Sequence, residues 1–276
     1  MEVTASVFEG DCLNVLSDGR VRPRSVNLIV TSPPYADQRS GNYGGIPADE
    51  YVSWFLPRAQ AFKNCLTTDG SFVLNIKEKA VGGEKHPYVY DLVLAMRRQQ
   101  GWRLVDEYCW HKKNCYPGKW PNRFRDSWER LLHFTISPKF KMHQEAVMVP
   151  MGDWKHARLR NLSDTDRTRD ESGNDNGFGK RVQNWMGRDF AYPTNVLHLA
   201  TECGFKGHPA AFPKALPAWF IKLLTNRGDL VLDPFAGSGT ALLAALEEGR
   251  NAIGIDNEPK YCAAMSKTLV RRHAVA

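Results

Sequence analysis

Two short stretches of the chain combine residue types that can bind a substrate and act on it. The first, TSPPY at residues 31–35, follows an apolar run that is typical of a buried strand. Ser32 offers a hydroxyl and Tyr35 an aromatic ring, while Pro33 and Pro34 have fixed φ angles and no N–H to donate. Carbonyl oxygens held in such a corner can accept hydrogen bonds without reorganising.

The second stretch, residues 231–256, predicts a strand, a glycine turn, a helix and another strand. The first strand contains Asp233 near its end, the turn contains Gly237 and Gly239, and the second strand ends at Asp256. Glycines let the backbone approach a ligand closely, and the amides that open the following helix point towards it. The acid of the second strand is suitably placed to bind ribose hydroxyls. A nucleoside triphosphate fits poorly, because a threonine rather than a lysine follows the last glycine.

Both stretches lie within an alternation of strand and helix patterns. This alternation predicts an α/β domain with a mostly parallel sheet. Asp69 and Gly70 are predicted to turn the chain into the third strand, and the second helix is predicted to stop near Gly101. The predicted strands are residues 6–11, 26–32, 71–76, 102–110, 129–137, 228–235 and 251–257, and the predicted helices are 47–66, 87–102, 212–225, 238–249 and 258–273.

The pattern is interrupted between residues 140 and 195, where the sequence is polar and shows no clear period. A disordered linker would not usually hold Trp154, Phe178, Trp185 and Phe190. We therefore expect a structured insertion, or one that folds on binding, between an α/β part at 1–139 and another at 196–276.

The charge of the chain is concentrated in one segment. The formal net charge is +7, and Arg97–Lys141 holds eleven lysines and arginines against four acidic residues. Aromatic residues are interleaved with these charges: Trp102, Trp110, Tyr116, Trp120, Phe124 and Trp128. Such a mixture indicates a nucleic-acid surface. The alternative is that the aromatics belong to the core and the charges form a solvated rim.

The remaining composition excludes several classes of protein. The 276 residues contain no apolar run of the roughly 20 needed to cross a bilayer, and residues 1–11 do not resemble a secretion signal. We therefore expect a cytoplasmic protein that does not bind a membrane. The six cysteines form no CxxC pair, which favours buried reduced thiols over a metal site.

Together, TSPPY and DPFAGSGT (residues 233–240) resemble the catalytic and cofactor loops of the amino-group DNA methyltransferases that use S-adenosylmethionine. GHPAAFP at 207–213 is similar to the segment that precedes the cofactor loop in that family. The order of these motifs is that of the β group. The resemblance implies a circularly permuted Rossmann-like methyltransferase sheet, in which 1–139 is the catalytic part, 140–195 a target-recognition insertion and 196–276 the cofactor-binding part. The strand SVFEGD would then supply the acid that reads adenine.

The resemblance also implies roles for individual residues. The catalytic residues would be Ser32, Pro33, Pro34 and Tyr35, and the cofactor-binding residues Asp11, Thr31, Pro213, Asp233, Phe235, Gly237, Ser238, Gly239, Thr240 and Asp256. The residues expected to contact DNA are Arg39, Lys112, Lys113, Arg123 and Arg125.

Serine in the first position of the catalytic loop is associated, in that family, with cytosine N4. We therefore predict methylation of the N4 atom of a cytosine flipped out of double-stranded DNA, with adenine N6 as the runner-up. Methylation at carbon 5 is disfavoured, because no cysteine follows a proline. An RNA or protein amide methyltransferase and a catalytically silent DNA-binding module are the other candidates. The sequence leaves a restriction endonuclease counterpart and a homodimer open.

Overall fold

A computed structural model describes residues 3–37, 45–81, 83–114, 118–119, 121–152, 187–201 and 212–273. The chain divides into two compact units. The larger comprises Met1–His143 and Asn195–Ala276, and the smaller is Gln144–Thr194. None of the helices in these described ranges has the length and apolarity to cross a membrane.

Twelve strands occur in the described ranges. They are β1 (Ala5–Glu9), β2 (Val26–Thr31), β3 (Leu66–Ile76), β4 (Ala80–Val81), β5 (Glu84–Lys85), β6 (Arg103–Lys112), β7 (Trp128–Thr135), β8 (Val149–Pro150), β9 (Phe190–Ala191), β10 (Val196–Leu199), β11 (Leu230–Asp233) and β12 (Asn251–Asp256). Eight of them form the sheet of the larger unit, in the order β1-β12-β11-β2-β3-β7-β6-β10. All neighbours are parallel except those of β7, which runs antiparallel to both β3 and β6.

Six α-helices lie in the same described ranges. They are α1 (Cys12–Ser17), α2 (Tyr51–Cys65), α3 (Tyr88–Gln100), α4 (Ala215–Leu224), α5 (Thr240–Glu247) and α6 (Pro259–His273), with a 3-10 turn at Ala48–Glu50 before α2. Helix α3 ends as predicted, because Gly101 adopts the left-handed conformation (φ 68°) that closes a helix.

Helices cover both faces of the sheet. On one face, aromatic residues of α2 pack against the strands, with Phe62 5.4 Å from Phe72 and Phe72 5.9 Å from Phe134 between ring centroids. On the other face, α4 contacts β2 and β3, and α5 contacts β11 and β12. This explains why β2 is apolar almost throughout: a parallel strand covered on both faces has no solvent-facing side.

The sheet confirms the predicted fold class. Its first strand in the chain, β1, pairs in parallel with its last, β12, with Glu9 opposite Asp256. This pairing gives the permuted order expected of the sequence. The predicted strands and helices are all present, with ends that shift by a few residues.

The larger unit differs from the predictions in several details, since α1, β4, β5 and β10 are additional elements and one predicted turn is absent. Asp69 and Gly70 do not turn the chain into β3 but lie inside it, where the pairing with β2 is irregular between Val26 and Leu28. The short strand β10 was not predicted, because its four residues carry too little pattern; it pairs with β6 at the end of the sheet.

The smaller unit contains one hairpin among its described residues. Val149–Pro150 pairs antiparallel with Phe190–Ala191, and the Met151 amide donates to the Asp189 carbonyl at 2.9 Å. A 3-10 turn at Gln144–Val147 precedes the hairpin. Trp154, Phe178 and Trp185, on which the prediction of a structured insertion rested, lie outside the described residues.

Candidate active site

Most of the residues that the sequence singled out lie at the carboxyl-terminal ends of the parallel strands of the eight-stranded sheet. The parallel strands β1, β2, β3, β6, β11 and β12 end at this edge, and β7 begins there because it runs in the opposite direction. Ligands of open α/β sheets bind at the carboxyl ends of the parallel strands. We call the region at these strand ends the carboxyl edge; the name does not refer to the outermost strands.

Three acids follow three neighbouring strands at the carboxyl edge. Asp233 ends β11, Asp256 ends β12, and Asp11 comes two residues after β1. Both oxygens of Asp256 accept backbone hydrogen bonds, from the amides of Gly237 at 2.7 Å and Glu258 at 2.9 Å. Because each carboxylate oxygen has a further acceptor site, Asp256 both fixes the glycine loop and can still accept from a ribose hydroxyl.

Asp233 is a buried carboxyl group whose hydrogen-bond partners, among the residues that the structure describes, are all neutral. Its Oδ1 accepts from Thr31 Oγ1 at 2.6 Å and from the Phe235 amide at 3.1 Å. Burial raises the pKa of Asp233 to about 7, although these two hydrogen bonds oppose the shift, and the charge of Asp256 adds to it. A positively charged ligand beside Asp233 would favour its ionised form.

These acids provide a test of whether S-adenosylmethionine fits the site. The molecule carries ribose hydroxyls, an adenine amine, an ammonium and a sulfonium. Carboxylates accept from the first three, and a buried carboxyl group with no cationic partner in the described part of the chain matches a positively charged ligand. The carboxylates of Asp11, Asp233 and Asp256 therefore fit the expected cofactor. We call the part of the carboxyl edge that they occupy the cofactor half.

Arg58 is a residue of this half that the sequence did not indicate. It pairs with Asp11 Oδ2 at 2.5 Å, and its guanidinium lies 4.3 Å from the centroid of the Trp54 ring. Asp11 Oδ1 accepts from the Leu13 amide at 2.8 Å and so caps α1. Both oxygens of Asp11 thus have protein partners, and an adenine amine would share one of them. A single arginine within an amphipathic helix gives no signal of this contact.

The two glycines of the loop have different tasks. Gly237 has a φ of 52° and donates its amide to Asp256. Gly239 has a φ of 82°, and a Cβ atom there would lie 2.8 Å from Met265 Cγ. The close neighbour at Gly239 is thus helix α6 of the protein itself, and the contact of Gly239 with the cofactor stays a prediction.

The other predicted cofactor residues surround this loop. Phe235 packs its ring 5.9 Å from Trp54, and the hydroxyls of Ser238 and Thr240 are 3.3 Å apart at the start of α5. Pro213 is buried, and its carbonyl accepts from the Leu216 amide at 2.8 Å, ahead of α4. Of the GHPAAFP segment, only Phe212 and Pro213 lie within the described residues.

The TSPPY corner lies beside the acids, because β2 is the neighbour of β11. Ser32, Pro34 and Tyr35 are partly exposed, and Pro33 is buried. The Pro34 carbonyl accepts from the Tyr51 hydroxyl at 2.9 Å. Among the carbonyl oxygens of this corner, that of Pro34 thus already has a donor.

A network of polar side chains connects this corner to three other strands. Ser32 Oγ donates to the Tyr35 hydroxyl at 3.2 Å, and that hydroxyl donates to Glu129 Oε2 at 2.7 Å. The amide nitrogen of Asn75 lies 3.0 Å from the same Glu129 oxygen and 3.1 Å from the Tyr35 hydroxyl. Lys112 Nζ pairs with Glu129 Oε1 at 2.6 Å. We call these five side chains the Ser32 network.

Asn75 and Glu129 were not among the predicted site residues. Asn75 is a polar residue in an otherwise apolar run near the end of β3, which was a usable signal. Glu129 is only 8% exposed and follows the first residue of β7. Nothing in the local sequence distinguishes it from a surface acid, so its burial could be learned only from the fold.

The basic residues divide into paired and unpaired groups. Lys112 is paired with Glu129, and Arg123 pairs with Asp126 at 3.1 Å. Each side chain therefore already has a carboxylate partner, and contact with a DNA phosphate stays a prediction for both. Lys113 and Arg125 are exposed and have no ion pair with any residue that the structure describes, and Arg39 lies outside that part of the chain.

The interleaved aromatics also divide into two groups. Trp102 and Trp110 are buried, as the alternative interpretation of the basic segment supposed. Phe124 is 95% exposed between Arg123 and Arg125, and Trp128 is partly exposed at the start of β7. Tyr116 and Trp120 lie outside the described residues.

Comparison with known proteins agrees with this arrangement. The profile of the DNA methylase family matches residues 26–267. The chain is 31% identical to the type II methyltransferase M.PvuII of Proteus hauseri, over 94% of this chain and 82% of that protein. It is 30% identical to the type II methyltransferase M.Cfr9I of Citrobacter freundii, over 93% and 85% of the two chains.

Solved structures show the same fold. The PvuII DNA methyltransferase, described as cytosine-N4-specific, superposes with a TM-score of 0.72 at 26% identity and covers 96% of this chain and 86% of its own. The complex of M1.HpyAVI with S-adenosylmethionine superposes with a TM-score of 0.62 at 19% identity, over 96% and 99% of the two chains. Because the family profile and the relatives span nearly all of the described sheet, the chain belongs to the DNA methylase family of N6 and N4 amino-group methyltransferases.

Proposed function

We propose that this protein transfers a methyl group from S-adenosylmethionine to the exocyclic N4 atom of a cytosine that is flipped out of double-stranded DNA. The observation that carries the proposal is the shared carboxyl edge, where three acids that fit the cofactor lie beside a corner that fits an amine. The base must leave the duplex, because its amine cannot otherwise reach a corner at the end of a sheet strand.

The cofactor half binds and orients the methyl donor. When bound, S-adenosylmethionine supplies a methyl group activated by a sulfonium. Asp256 is assigned to the ribose hydroxyls, Asp233 to a positively charged group and Asp11 to the adenine amine. Gly237 is placed by its hydrogen bond to Asp256, so the loop and the ribose acceptor form one unit.

The Ser32 side of the edge prepares the nucleophile. An exocyclic amine is a poor nucleophile, because its lone pair is delocalised into the base. Acceptors aimed at its hydrogens favour a more tetrahedral nitrogen, and preorganised acceptors lose no energy to reorganisation. We assign these roles to Ser32 Oγ and the Pro33 carbonyl, since the Pro34 carbonyl already accepts from Tyr51. The partly exposed ring of Tyr35 would stack on the base.

Two observations favour cytosine over adenine. The first residue of the catalytic loop is a serine, and a solved relative with a TM-score of 0.72 is described as cytosine-N4-specific. Adenine N6 is the second candidate, since the family includes both reactions.

Mass spectrometry of nucleosides tests the proposal directly. We would incubate duplex DNA of diverse sequence with the enzyme and S-adenosylmethionine carrying a deuterated methyl group, and then digest the DNA. We expect labelled N4-methyldeoxycytidine. Labelled N6-methyldeoxyadenosine would instead support the second candidate. Label found only in RNA or protein, offered in parallel reactions, would contradict DNA methylation altogether.

The same carboxyl edge carries the positive charge expected to contact DNA. Lys113 follows the end of β6, and Arg125 precedes the start of β7, so both lie at this edge. Their exposure and lack of ion pairs among the described residues distinguish them from Lys112 and Arg123. We assign phosphate contacts to Lys113 and Arg125.

Replacing Lys113 or Arg125 with alanine should weaken binding about equally for target and non-target duplexes, because phosphate contacts carry little sequence information. Each substitution should reduce the slope of log affinity against log salt by about 0.9. Titrations at several salt concentrations measure this slope.

Arg98→Ala is the matched control for these variants. Arg98 is exposed and basic but lies in the last turn of α3, which returns the chain to the opposite edge of the sheet. Its removal should leave the slope unchanged. Equal slopes for the wild type, Lys113→Ala and Arg125→Ala would show that the DNA runs elsewhere.

The remaining expectations concern the smaller unit and the partners. We assign recognition of the DNA target to residues 144–194, the compact unit separate from the sheet. A cognate restriction endonuclease and a homodimer stay predictions from the family resemblance.

A further inference from the structure

Serine is a weak choice for the central acceptor of this reaction. Unlike a carboxylate, its hydroxyl is both a donor and an acceptor, and it rotates to suit its surroundings. A hydroxyl whose proton points at the incoming amine would repel it. Something must therefore set the direction of the Ser32 proton.

The Ser32 network sets a direction through Glu129. An ionised carboxylate can only accept hydrogen bonds, so the Tyr35 hydroxyl must be the donor in its bond to Glu129 Oε2. The Tyr35 oxygen is then left as an acceptor, and Ser32 Oγ donates to it. Because Ser32 Oγ donates its proton to Tyr35, its lone pairs act only as acceptors, and Asn75 Nδ2 lies 3.4 Å from the same oxygen.

Two neighbours hold Glu129 in this role. Lys112 pairs with its second oxygen at 2.6 Å, and the side chains of both residues are largely buried. Burying one charge alone would be unfavourable, so each residue keeps the other in place. Asn75 donates through its amide nitrogen to Glu129, and this orients the amide; its Oδ1 is buried without a partner among the described residues.

We propose that Glu129, held by Lys112, is a positioning residue that acts through Tyr35 to fix the Ser32 hydroxyl as an acceptor for the target amine. The proposal rests on the proposed function, because it concerns the same amine. Burial and the neighbouring carboxylate raise the pKa of Tyr35 well above its usual value, so its hydroxyl keeps the proton that it donates. No proton transfer is required of Glu129.

A double-mutant cycle tests this inference. Glu129→Gln keeps the size of the side chain, but its amide can also donate. The direction of the hydrogen bonds from Ser32 to Tyr35 and on to residue 129 is then no longer imposed. We expect the single-turnover methylation rate to fall roughly tenfold to a hundredfold, as for loss of a charge-assisted hydrogen bond, while the affinities for the DNA and the cofactor stay near those of the wild type.

The second arm places Glu129→Gln in a Ser32→Ala background. If Glu129 acts through Ser32, the effect of its substitution should largely vanish there. A purely structural role would instead lower the rate by the same factor in both backgrounds, and such additivity would overturn the proposal. An unchanged rate for Glu129→Gln alone would do so too.

Two further variants keep the test decisive. Tyr35→Phe removes the hydroxyl that connects Ser32 to Glu129 while retaining the ring and every charge. Its effect on the rate should therefore also vanish in the Ser32→Ala background, even where Glu129→Gln folds poorly. Glu107→Gln removes another salt-bridged glutamate, paired with Arg130 on the neighbouring strand, and should leave the rate unchanged. Failure of the proposed function would appear separately, as a wild-type enzyme that makes no N4-methyldeoxycytidine.

Discussion

Ser32→Ala is expected to lower the single-turnover methylation rate by about 10²–10³-fold, with little change in affinity for duplex DNA. The loss is large because preorganised hydrogen-bonding groups at a reacting centre act mainly in the transition state. Duplex affinity depends mainly on phosphate contacts, which Ser32 does not make. Rapid-quench measurements with enzyme in excess over a short duplex, together with binding titrations, separate the two quantities.

Ser53→Ala is the matched control for this change. Ser53 is exposed near the start of α2, where its hydroxyl donates to the Glu50 carbonyl. Its removal should change neither rate nor affinity. Ser32→Ala at the wild-type rate would show that the Pro33 carbonyl suffices, and Ser32 would lose its catalytic assignment.

Asp233→Asn is expected to stabilise the ligand-free protein and, at the same time, to weaken cofactor binding. The pKa of Asp233 is raised by burial to about 7 in the folded protein, above the 3.8 of an ordinary aspartate. Between these values the folded state binds more protons than the unfolded state, so stability falls as the pH rises from about 4 to about 7. Asparagine keeps the shape and an acceptor for Thr31, but it carries no charge that burial could disfavour.

The stability of the two proteins should therefore separate as the pH rises. Above pH 7 the free energy of unfolding of Asp233→Asn should exceed that of the wild type by about 1–4 kcal/mol. Thermal or urea unfolding at pH 5 and pH 8 measures this difference. A variant less stable than the wild type at pH 8 would show that the ionised carboxylate is already compensated within the protein.

The affinity for the cofactor should rise with pH, whereas the stability of the wild type falls. A cationic group beside Asp233 favours the ionised carboxylate, so the wild type should bind S-adenosylmethionine more tightly as the pH rises through about 7. Asp233→Asn should lose this dependence and bind about 10–100-fold more weakly, as expected for loss of a charge-assisted hydrogen bond. Calorimetric titrations at pH 6, 7 and 8 would test both statements.

Asp229→Asn provides the control for both measurements. Asp229 precedes β11, at the opposite end of the strand that Asp233 terminates, and it pairs with Lys141 at 2.7 Å. Its substitution should leave cofactor affinity unchanged and should lower rather than raise stability. A loss of cofactor affinity in both variants would point to a general effect on β11.

The strands of the sheet and the two loops that follow β2 and β11 could be predicted from the sequence alone. Strand β2 and the TSPPY corner, and strand β11 with its glycine turn, are contiguous segments whose structure depends on local constraints. Proline restricts φ, glycine permits positive φ, and a continuous apolar run indicates a strand covered on both faces. The acids Asp233 and Asp256 could be placed for the same reason, since each ends a strand that the pattern predicts.

Which side chains meet at these loops depends on the tertiary structure. Glu129 contacts Tyr35 from 94 positions away and Asn75 from 54, because β7 runs antiparallel between β3 and β6 and begins at the edge where they end. The same arrangement gives Lys112 a carboxylate partner, and it places Met265 against Gly239. Such contacts depend on the order and register of strands that are distant in the chain. Periodicity and motifs describe neighbours in sequence and carry no record of that register.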